Sequence, residues 1–180
     1  MAVRLLPPGL DGVPAYAAAL RAGWSANTTR DTSGEQLAAI AADAAGFIAT
    51  LARQDGTVTL GDGQVVPRLP GRVFWVWDGA FAGSINVRFV PGTLELPAHV
   101  SGHVGYAVVP WMRRRGVATQ ALALLRPLAH GLGLPQVSLT CDADNLASRR
   151  VIERNGGVPA EQGERLGLPK LLFWMGTGPG

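Results

Sequence analysis

Apolar and polar positions divide the first part of the chain into one short strand and two helices. "VRLLPPG" predicts a strand that ends at prolines, and the alanine-rich "GVPAYAAALRAG" predicts a helix with Pro14 near its first turn. Over residues 31–56, apolar side chains recur at the spacing of one helical face, at Leu37, Ile40, Ala44, Phe47, Ile48 and Leu51. A second helix is expected there. Residues 55–71 are dense in Gly and Pro and predict a loop or a weak hairpin.

The second part of the chain is dominated by β-rich runs. "VFWVWDGAFAGSINVRFV" predicts two strands joined at Asp78 and Gly79, and "GHVGYAVVP" predicts a third that ends at Pro110. A helix from Gly116, a strand "PQVSLTCD", a short helix "NLASRRVIERNGG" and a strand "KLLFWM" follow. Pro127 falls inside the first of these helices and predicts a kink or an early end. The order β-α-α-β-β-β-α-β-α-β indicates a three-layer α/β domain, with helices on both faces of a mixed, mostly antiparallel sheet.

Composition limits the classes of protein that the chain can belong to. At 180 residues and 47% hydrophobic, residues 1–180 suit a single domain with one core. No apolar run reaches the roughly 18 residues of a membrane span, so we expect a cytoplasmic protein without a membrane partner. Cys141 is the only cysteine, which excludes an intramolecular disulfide and leaves no zinc-type ligand spacing, so no metal is expected. The net charge of +3 is too small to require a nucleic-acid partner.

The segment "VVPWMRRRGVAT" places three consecutive arginines between a predicted strand and a predicted helix. A helix that begins at Gly116 presents unpaired backbone N–H groups and the positive end of its dipole. Glycine lets the backbone approach a phosphate, and Ala118 and Thr119 are too small to cover the first-turn amides. Neighbouring arginines would add charge-assisted hydrogen bonds. The segment therefore predicts an anion site, although a solvent-exposed basic corner explains the three arginines equally well.

The motifs of this region narrow the kind of anion. The loop has neither the G-x-x-x-x-G-K-S/T nor the G-x-G-x-x-G pattern, which argues against a nucleoside triphosphate. It resembles the pyrophosphate loop of the GNAT family of N-acetyltransferases, whose signature Q/R-x-x-G-x-G/A corresponds to Arg113-x-x-Gly116-x-Ala118. "LTCDADNLASRRVIERNGG" resembles the second half of that signature, a strand followed by N-x-x-A/S that opens a helix ending at N-G.

The resemblance covers about residues 72 to 175 and is closest to bacterial acetyltransferases of unassigned substrate. It implies a GNAT-like acyl-CoA N-acyltransferase fold. Residues 72–175 would form the cofactor-binding core, and residues 1–71, with the N-terminal strand, helices and loop, would shape the acceptor side. It also implies acetyl-CoA as co-substrate and direct attack by a primary amine in a ternary complex.

The resemblance further implies which residues bind the cofactor. In the family, the strand before the loop splays from its neighbour and pairs with the pantetheine arm, a role that falls to Val108 and its neighbours. The loop and first-turn amides would hold the pyrophosphate, namely those of Arg113, Arg114, Arg115, Gly116, Val117, Ala118 and Thr119. Asn145 would contact the pantetheine, with Ser148 one turn along, although a plain helix N-cap explains Asn145 as well. Arg149 and Arg150 are expected either at the 3′-phosphate of the nucleotide or on a solvated helix face.

Acyl transfer requires an unprotonated amine, a polarised thioester carbonyl and a proton for the departing thiolate. The backbone N–H near Val108 is expected to polarise the carbonyl. The tyrosine that many relatives use as proton donor would stand at position 152, which is isoleucine here. Tyr106, Cys141 and water are the candidates that remain, and both side chains also suit a core position.

For the general base, His103 is the first choice because an imidazole accepts a proton near neutral pH, directly or through water. His99 and Glu95 are the alternatives, whereas His130 is more simply a helix-terminus residue. Strand alternation places His103 on the face of Gly105, opposite the face of Tyr106. A structural or surface histidine explains the sequence as well.

The acceptor is open to any small-molecule or peptide amine. Trp77 and Trp111 are candidates to line an apolar pocket, whereas Trp75 and Phe81 fit the core better. Two other functions compete with the enzyme: a catalytically silent acyl-CoA-binding module, which the missing tyrosine permits, and nucleic-acid binding through the arginine clusters. The absence of aromatic residues interleaved with those arginines argues against the latter. Homodimerisation and the preferred acyl chain stay open.

Overall fold

Two antiparallel sheets, a separate two-stranded hairpin and the helices around them make up the described part of the protein. The computed structural model describes residues 2–60, 62–165 and 168–178. The strands are β1 (Arg4–Leu6), β2 (Thr57–Thr59), β3 (Val65–Pro67), β4 (Gly71–Trp77), β5 (Phe81–Arg88), β6 (Val104–Val108), β7 (Gln136–Asp142), β8 (Val158–Arg165) and β9 (Leu168–Gly176). The helices are α1 (Val13–Arg21), α2 (Ser33–Ala42), α3 (Ala44–Ala52), α4 (Val117–Gly131) and α5 (Leu146–Arg154), with 3-10 turns at Leu10–Gly12 and Pro110–Met112.

The first sheet has the strand order β1-β4-β5-β6, and the second has the order β7-β9-β8. Every strand pair within them is antiparallel. Strands β2 and β3 form a separate hairpin, so the weak hairpin predicted over residues 55–71 is confirmed. The predicted α/β class, with mostly antiparallel strands and helices on both faces, is confirmed as well.

Side chains of the first sheet alternate between two buried faces. One face carries Trp75, which stacks on Tyr16 of α1 with ring centroids 4.8 Å apart. The other carries Val76 and Ile85, both at most 1% exposed, and α4 packs against β1, β5 and β6. A period of two along each strand thus supplies two core layers, which explains why the strands are almost continuously apolar.

The two sheets meet at the beginnings of β6 and β7 and separate beyond that point. The His103 N–H, just before β6, donates to the Ser138 carbonyl of β7 at 2.9 Å. Gly102 makes this approach possible, because a Cβ there would lie 3.1 Å from the same carbonyl oxygen. In the described residues, no ladder joins the rest of β6 to β7, so β6 is an edge strand of its sheet.

The structure corrects three predictions of the elements. The predicted second helix is two helices, because Asp43 leaves helical geometry at φ −160° and ψ 95°, ending α2 and preceding α3. Helix α4 runs through Pro127 to Gly131, so an early end at the proline is wrong. Strand β8 was not predicted, since "VPAEQGER" lacks apolar alternation, yet it pairs with β9, with a register irregularity between Pro159 and Gln162.

Candidate active site

The free edge of β6 faces the gap between the two sheets. The Arg88 N–H donates to the His103 carbonyl, and the Val109 N–H donates to the Ala82 carbonyl, so the odd-numbered residues of this segment pair with β5. Because paired and unpaired positions alternate along an antiparallel strand, Tyr106 and Val108 direct their backbone groups away from β5. An extended molecule in the gap could therefore pair with β6 as an additional strand.

The arginine loop and the start of α4 lie at the end of this edge. Arg114 and Gly116 both have left-handed backbone geometry, with φ of 61° and 76°. Such alternation of left- and right-handed residues turns successive amides toward one concave surface. In the described residues, the N–H groups from Arg114 to Thr119 have no backbone acceptor; the next, that of Gln120, bonds to the Gly116 carbonyl. Six consecutive unpaired amides at a helix N-terminus suit an anion.

The arginine side chains at the loop are exposed to solvent. The Arg113 Nε donates to the Val108 carbonyl at 3.2 Å, which connects the loop to the free edge of β6. Arg115 lies against the Met112 sulfur at 3.5 Å. Arg114 has no polar partner among the described residues, so its charge is free to meet an anion held by the amides.

Helix α5 borders the gap on the other side. The Asn145 side-chain oxygen accepts from the Ser148 N–H at 3.0 Å, so Asn145 is the N-cap of this helix. At the other end, the buried Asn155 donates through Nδ2 to the Thr119 carbonyl of α4 at 3.2 Å and to the Val151 carbonyl at 2.9 Å. This amide fixes the first turn of α4 against α5, a role that the sequence reasoning missed because "NGG" was interpreted only as a helix end.

Tyr106 spans the gap. Its hydroxyl donates to the Ser148 carbonyl at 3.4 Å, and burial raises the pKa of Tyr106 to about 12. The phenol therefore keeps its proton at neutral pH. Cys141, on the facing strand β7, is 6% exposed, and burial followed by the neighbouring Asp142 raises the pKa of its thiol. Two protonated groups thus lie beside the start of α5.

His103 is fully buried, and its hydrogen bonds argue against a base role. Its Nδ1 accepts from the Ser138 N–H at 3.0 Å and lies 2.7 Å from the Ser138 hydroxyl. A backbone N–H can only donate, so the lone pair of Nδ1 is occupied and the proton of the neutral ring sits on Nε2. Burial and the charge of Arg88 lower the pKa of His103. No lone pair is left to take a proton from an amine.

The remaining candidates lie in different places. Glu95 is exposed and His99 is half-buried, both in the loop between β5 and β6. His130 is in the last turn of α4, as expected for a helix-terminus residue. Arg149 pairs with Glu153 on an exposed face of α5 at 2.7 Å, and Ile152 is a core residue with 1% exposure.

The aromatic candidates divide between core and surface. Trp75 and Phe81 are at most 4% exposed and belong to the cluster around Tyr16, so the core assignment of both is confirmed. Trp77 is partly buried beside Phe81. Trp111 is 49% exposed just before the arginine loop.

The structure also brings together a polar group that sequence reasoning missed. Asn86 and Arg88 of β5 lie opposite Gly105 and His103, on the face of the first sheet that carries Trp75. Arg88 donates to the Asn86 side-chain oxygen at 3.2 Å. The pattern "INVRFV" alternates apolar and polar residues and shows that these two side chains share a face. It does not show that the face is partly covered.

Comparison with protein families decides the classification. The model described as "Acetyltransferase (GNAT) domain" matches residues 15–158. The chain belongs to the GNAT acetyltransferase family. It is accordingly an acetyl-CoA-dependent N-acyltransferase, and the resemblance found in the two motifs is confirmed. A search of curated proteins finds no match.

Solved structures of GNAT-family proteins share this fold at low sequence identity. Mycobacterium smegmatis RimJ in complex with CoA-disulfide has a TM-score of 0.67 and 19% identity, over 97% of this chain and 81% of that chain. RimL, a ribosomal L7/L12 α-N-protein acetyltransferase in complex with coenzyme A, has a TM-score of 0.61 and 13% identity, over 98% of this chain and 94% of that chain. MccE, a microcin C7 self-immunity acetyltransferase with acetyl-CoA and AMP, has a TM-score of 0.58 and 12% identity, over 97% of this chain and 92% of that chain.

The described residues offer neither a metal site nor a membrane-spanning helix. They contain no cluster of three or more His, Cys, Asp or Glu side chains that could hold a metal ion. No helix in that part of the chain combines the length and apolar character needed to cross a membrane.

Proposed function

We propose that this acetyltransferase transfers the acetyl group of acetyl-CoA to a primary amine of a small-molecule or peptide acceptor, by direct attack in a ternary complex. The observation that carries the proposal is the run of six unpaired amides from Arg114 to Thr119, next to the free edge of β6. Coenzyme A has an anionic pyrophosphate followed by an extended amide-containing arm. The loop suits the first part and the strand edge suits the second. The relatives RimL and MccE, which bind coenzyme A and acetyl-CoA, support the choice of cofactor.

In this proposal, the cofactor residues form one continuous surface. The backbone amides of Arg114 to Thr119 hold the pyrophosphate, whereas the Arg113 N–H, which was expected to take part, donates to the Pro110 carbonyl. The exposed arginine side chains add charge. The backbone of Val108 pairs with the pantetheine arm, and its N–H polarises the thioester carbonyl. Asn145 and Ser148 contact the arm from α5. Residues 1–71 shape the acceptor side of the domain.

Proximity supplies much of the rate, and proton transfer supplies the rest. The amine attacks the thioester carbon, the C–S bond breaks, and the thiolate takes a proton. We assign Tyr106 as the donor because its phenol is protonated at neutral pH and lies beside the gap. With the Nδ1 lone pair of His103 occupied, the amine loses its proton to water, or to His99 or Glu95 in the neighbouring loop.

Calorimetric titration with acetyl-CoA tests the cofactor site. Gly116→Asp places a negative charge where the pyrophosphate would lie, and Gly116→Asn is its matched control, with the same shape and the same left-handed backbone. Among the described residues, leaving aside its two chain neighbours, only the Gln120 side chain, at 3.7 Å, lies within 4 Å of a Cβ at this position. We expect the parent protein to bind acetyl-CoA. Gly116→Asp should weaken this binding at least about tenfold, and Gly116→Asn should weaken it much less.

Release of free thiol in the presence of an amine panel then tests turnover. Acetylation of at least one amine supports the enzyme. Tight binding of acetyl-CoA without turnover of any amine would favour the catalytically silent module. A folded parent that does not bind acetyl-CoA would overturn the cofactor assignment itself.

A further inference from the structure

An unneutralised cation lies on the acceptor side of the first sheet. Arg88 is partly buried, and its Nε is a buried donor without a hydrogen-bond partner. No carboxylate among the described side chains pairs with it; the only polar contact is the Asn86 side-chain oxygen at 3.2 Å. Burying a charge without a counter-ion is unfavourable, so a cation held in this way is suited to bind an anion.

A second unpaired donor accompanies it. The Nε2 of His103 is also buried without a partner. Its N–H is available because the neutral ring carries the proton there. Arg88 and His103 are cross-strand neighbours, since the Arg88 N–H donates to the His103 carbonyl at 2.9 Å. Directly opposed side chains on one face of a sheet lie about 5 Å apart at Cβ, so the two donors lie close together on the same face.

The position of the guanidinium is set by a glycine. A Cβ at Gly105 would lie 3.0 Å from the Arg88 Nη2 and 3.4 Å from the Asn86 amide nitrogen. The missing side chain thus lets the guanidinium lie across β6. Gly105, Asn86 and Arg88 are all partly exposed, so a ligand can enter from solvent.

We propose, resting on the proposed acetyl transfer, that Arg88 binds a carboxylate of the acceptor on the sheet face that it shares with His103, so that the enzyme prefers amines that carry a carboxylate. One guanidinium beside a neutral imidazole balances one negative charge, which suits a carboxylate better than a dianionic phosphate. Asn86 holds the guanidinium in place.

The strand also sets the length of the acceptor. Gly105 lies three residues before Val108, where the thioester would be polarised, which corresponds to about 10 Å along the strand. The amine and the carboxylate are therefore separated by a chain of about 7–10 Å. An ω-amino acid such as 6-aminohexanoate spans this distance, as does an acidic side chain near a peptide N-terminus, whereas glycine is too short.

Calorimetry in the presence of coenzyme A tests the inference without requiring turnover. The probes are 6-acetamidohexanoate, which mimics the product, and its neutral match 6-acetamidohexanamide. We expect the carboxylate to bind at least about tenfold more tightly. Arg88→Gln should remove this difference, Arg88→Lys should retain part of it, and the exposed Arg72→Gln on β4 should leave it unchanged.

Further probes identify the source and kind of anion. The rates of acetylation of the dipeptide amides Ser-Glu and Ser-Gln show whether a carboxylate on a peptide is preferred over the matching amide. The same preference is expected for 6-acetamidohexanoate over 6-acetamidohexanamide. Equal binding of carboxylate and amide by the parent, or a preference that survives Arg88→Gln, would overturn the inference. Tighter binding of the corresponding phosphonate would overturn the carboxylate assignment. Titration of the same proteins with acetyl-CoA separates these outcomes from failure of the proposed function.

Discussion

At the scale of single residues, His103 links the two sheets through a neutral ring. Its Nδ1 accepts from the Ser138 N–H, and burial together with the charge of Arg88 lowers its pKa. Protonation of Nδ1 would replace an accepted hydrogen bond by repulsion between two donors. The junction at the closed end of the gap therefore depends on an uncharged histidine.

As a result, we expect the free energy of unfolding to decrease as the pH is lowered. Because the folded pKa lies below the unfolded value of 6.5, the unfolded chain binds more protons between the two values. This contribution is present above pH 6.5 and is lost as the pH falls toward the folded pKa, by at most about 1.4 kcal/mol per pH unit. Urea unfolding at pH 7.5 and at pH 5.5 measures the change.

His103→Asn is the control, because its side-chain oxygen can accept from the Ser138 N–H but does not titrate. The variant should lose the part of the acid sensitivity that His103 causes. Identical pH dependence in parent and variant would contradict a neutral structural role.

Tyr106 gives a second test at this scale. Tyr106→Phe removes the proposed proton donor while keeping the ring, so kcat should fall by about 10² or more with little change in the affinity for acetyl-CoA. Because burial raises its pKa to about 12, the parent rate should not decline through tyrosine ionisation below pH 10. Cys141→Ala should leave kcat near the parent value. A large loss in Cys141→Ala and none in Tyr106→Phe would assign the proton to the thiol.

Arg88 shows why the residues of the proposed carboxylate site could not be predicted from the sequence. Motifs are contiguous, and the arginine loop, Gly116 and Asn145 lie within two such stretches. Arg88 and His103 come together only through the register of β5 on β6, which sequence alternation restricts to a face but does not determine. The sequence alone cannot show that the Arg88 Nε and the His103 Nε2 lack hydrogen-bond partners, because this depends on which atoms are buried.

At the scale of elements, the strand–loop–helix unit around Gly116 can be predicted from local sequence signals. The break between α2 and α3 cannot. Pro110 follows the end of β6, and Gly116 directly precedes the start of α4, so both boundaries carry a residue that favours a change of backbone geometry. The break at Asp43 was missed because apolar spacing continues through it, from Ile40 to Phe47. Asp is a favoured N-cap residue, and Asp43 stands at the N-cap position of α3 without a side-chain cap hydrogen bond, so the break depends on how α2 and α3 pack rather than on local capping.

Asn155 provides the prediction for this scale. Its amide donates to a carbonyl in the first turn of α4 and to one in α5. Asn155→Asp keeps the shape but removes both donors, and Asn155→Ala removes the group. Each should lower the free energy of unfolding by about 1–3 kcal/mol, since two carbonyls lose a partner. Both should also weaken acetyl-CoA binding, because the first turn of α4 is less well fixed.

Asn145→Ser is the matched control at the opposite end of α5. Serine is about as good an N-cap as asparagine, so stability should change by less than about 0.5 kcal/mol. Urea unfolding measures the stability of all three variants, and calorimetry measures acetyl-CoA binding by the two Asn155 variants. Unchanged stability in Asn155→Asp would show that the amide does not connect the two helices.

At the scale of the whole molecule, the N-terminal helices share one core with the first sheet. Tyr16 of α1 stacks on Trp75 at 4.8 Å and meets Trp24 and Phe81 edge-on at 5.4 Å each. Aromatic residues from α1, β4 and β5 thus form one cluster. The apolar pattern predicts that each element has a buried face, but which aromatic rings pair depends on the tertiary arrangement.

This shared cluster predicts that residues 1–71 and 72–175 unfold together. Tyr16→Ala should lower the free energy of unfolding by about 3–5 kcal/mol, because a large ring leaves a cavity in the core. The melting temperature should fall by about 6–20 °C in a single transition that tryptophan fluorescence and circular dichroism report at the same temperature. Leu10→Ala, at a position 56% exposed, should change stability by less than about 0.5 kcal/mol. Two separate transitions in Tyr16→Ala, with the later one at the parent temperature, would mean that the N-terminal helices form a layer that can detach from a cofactor-binding core stable by itself.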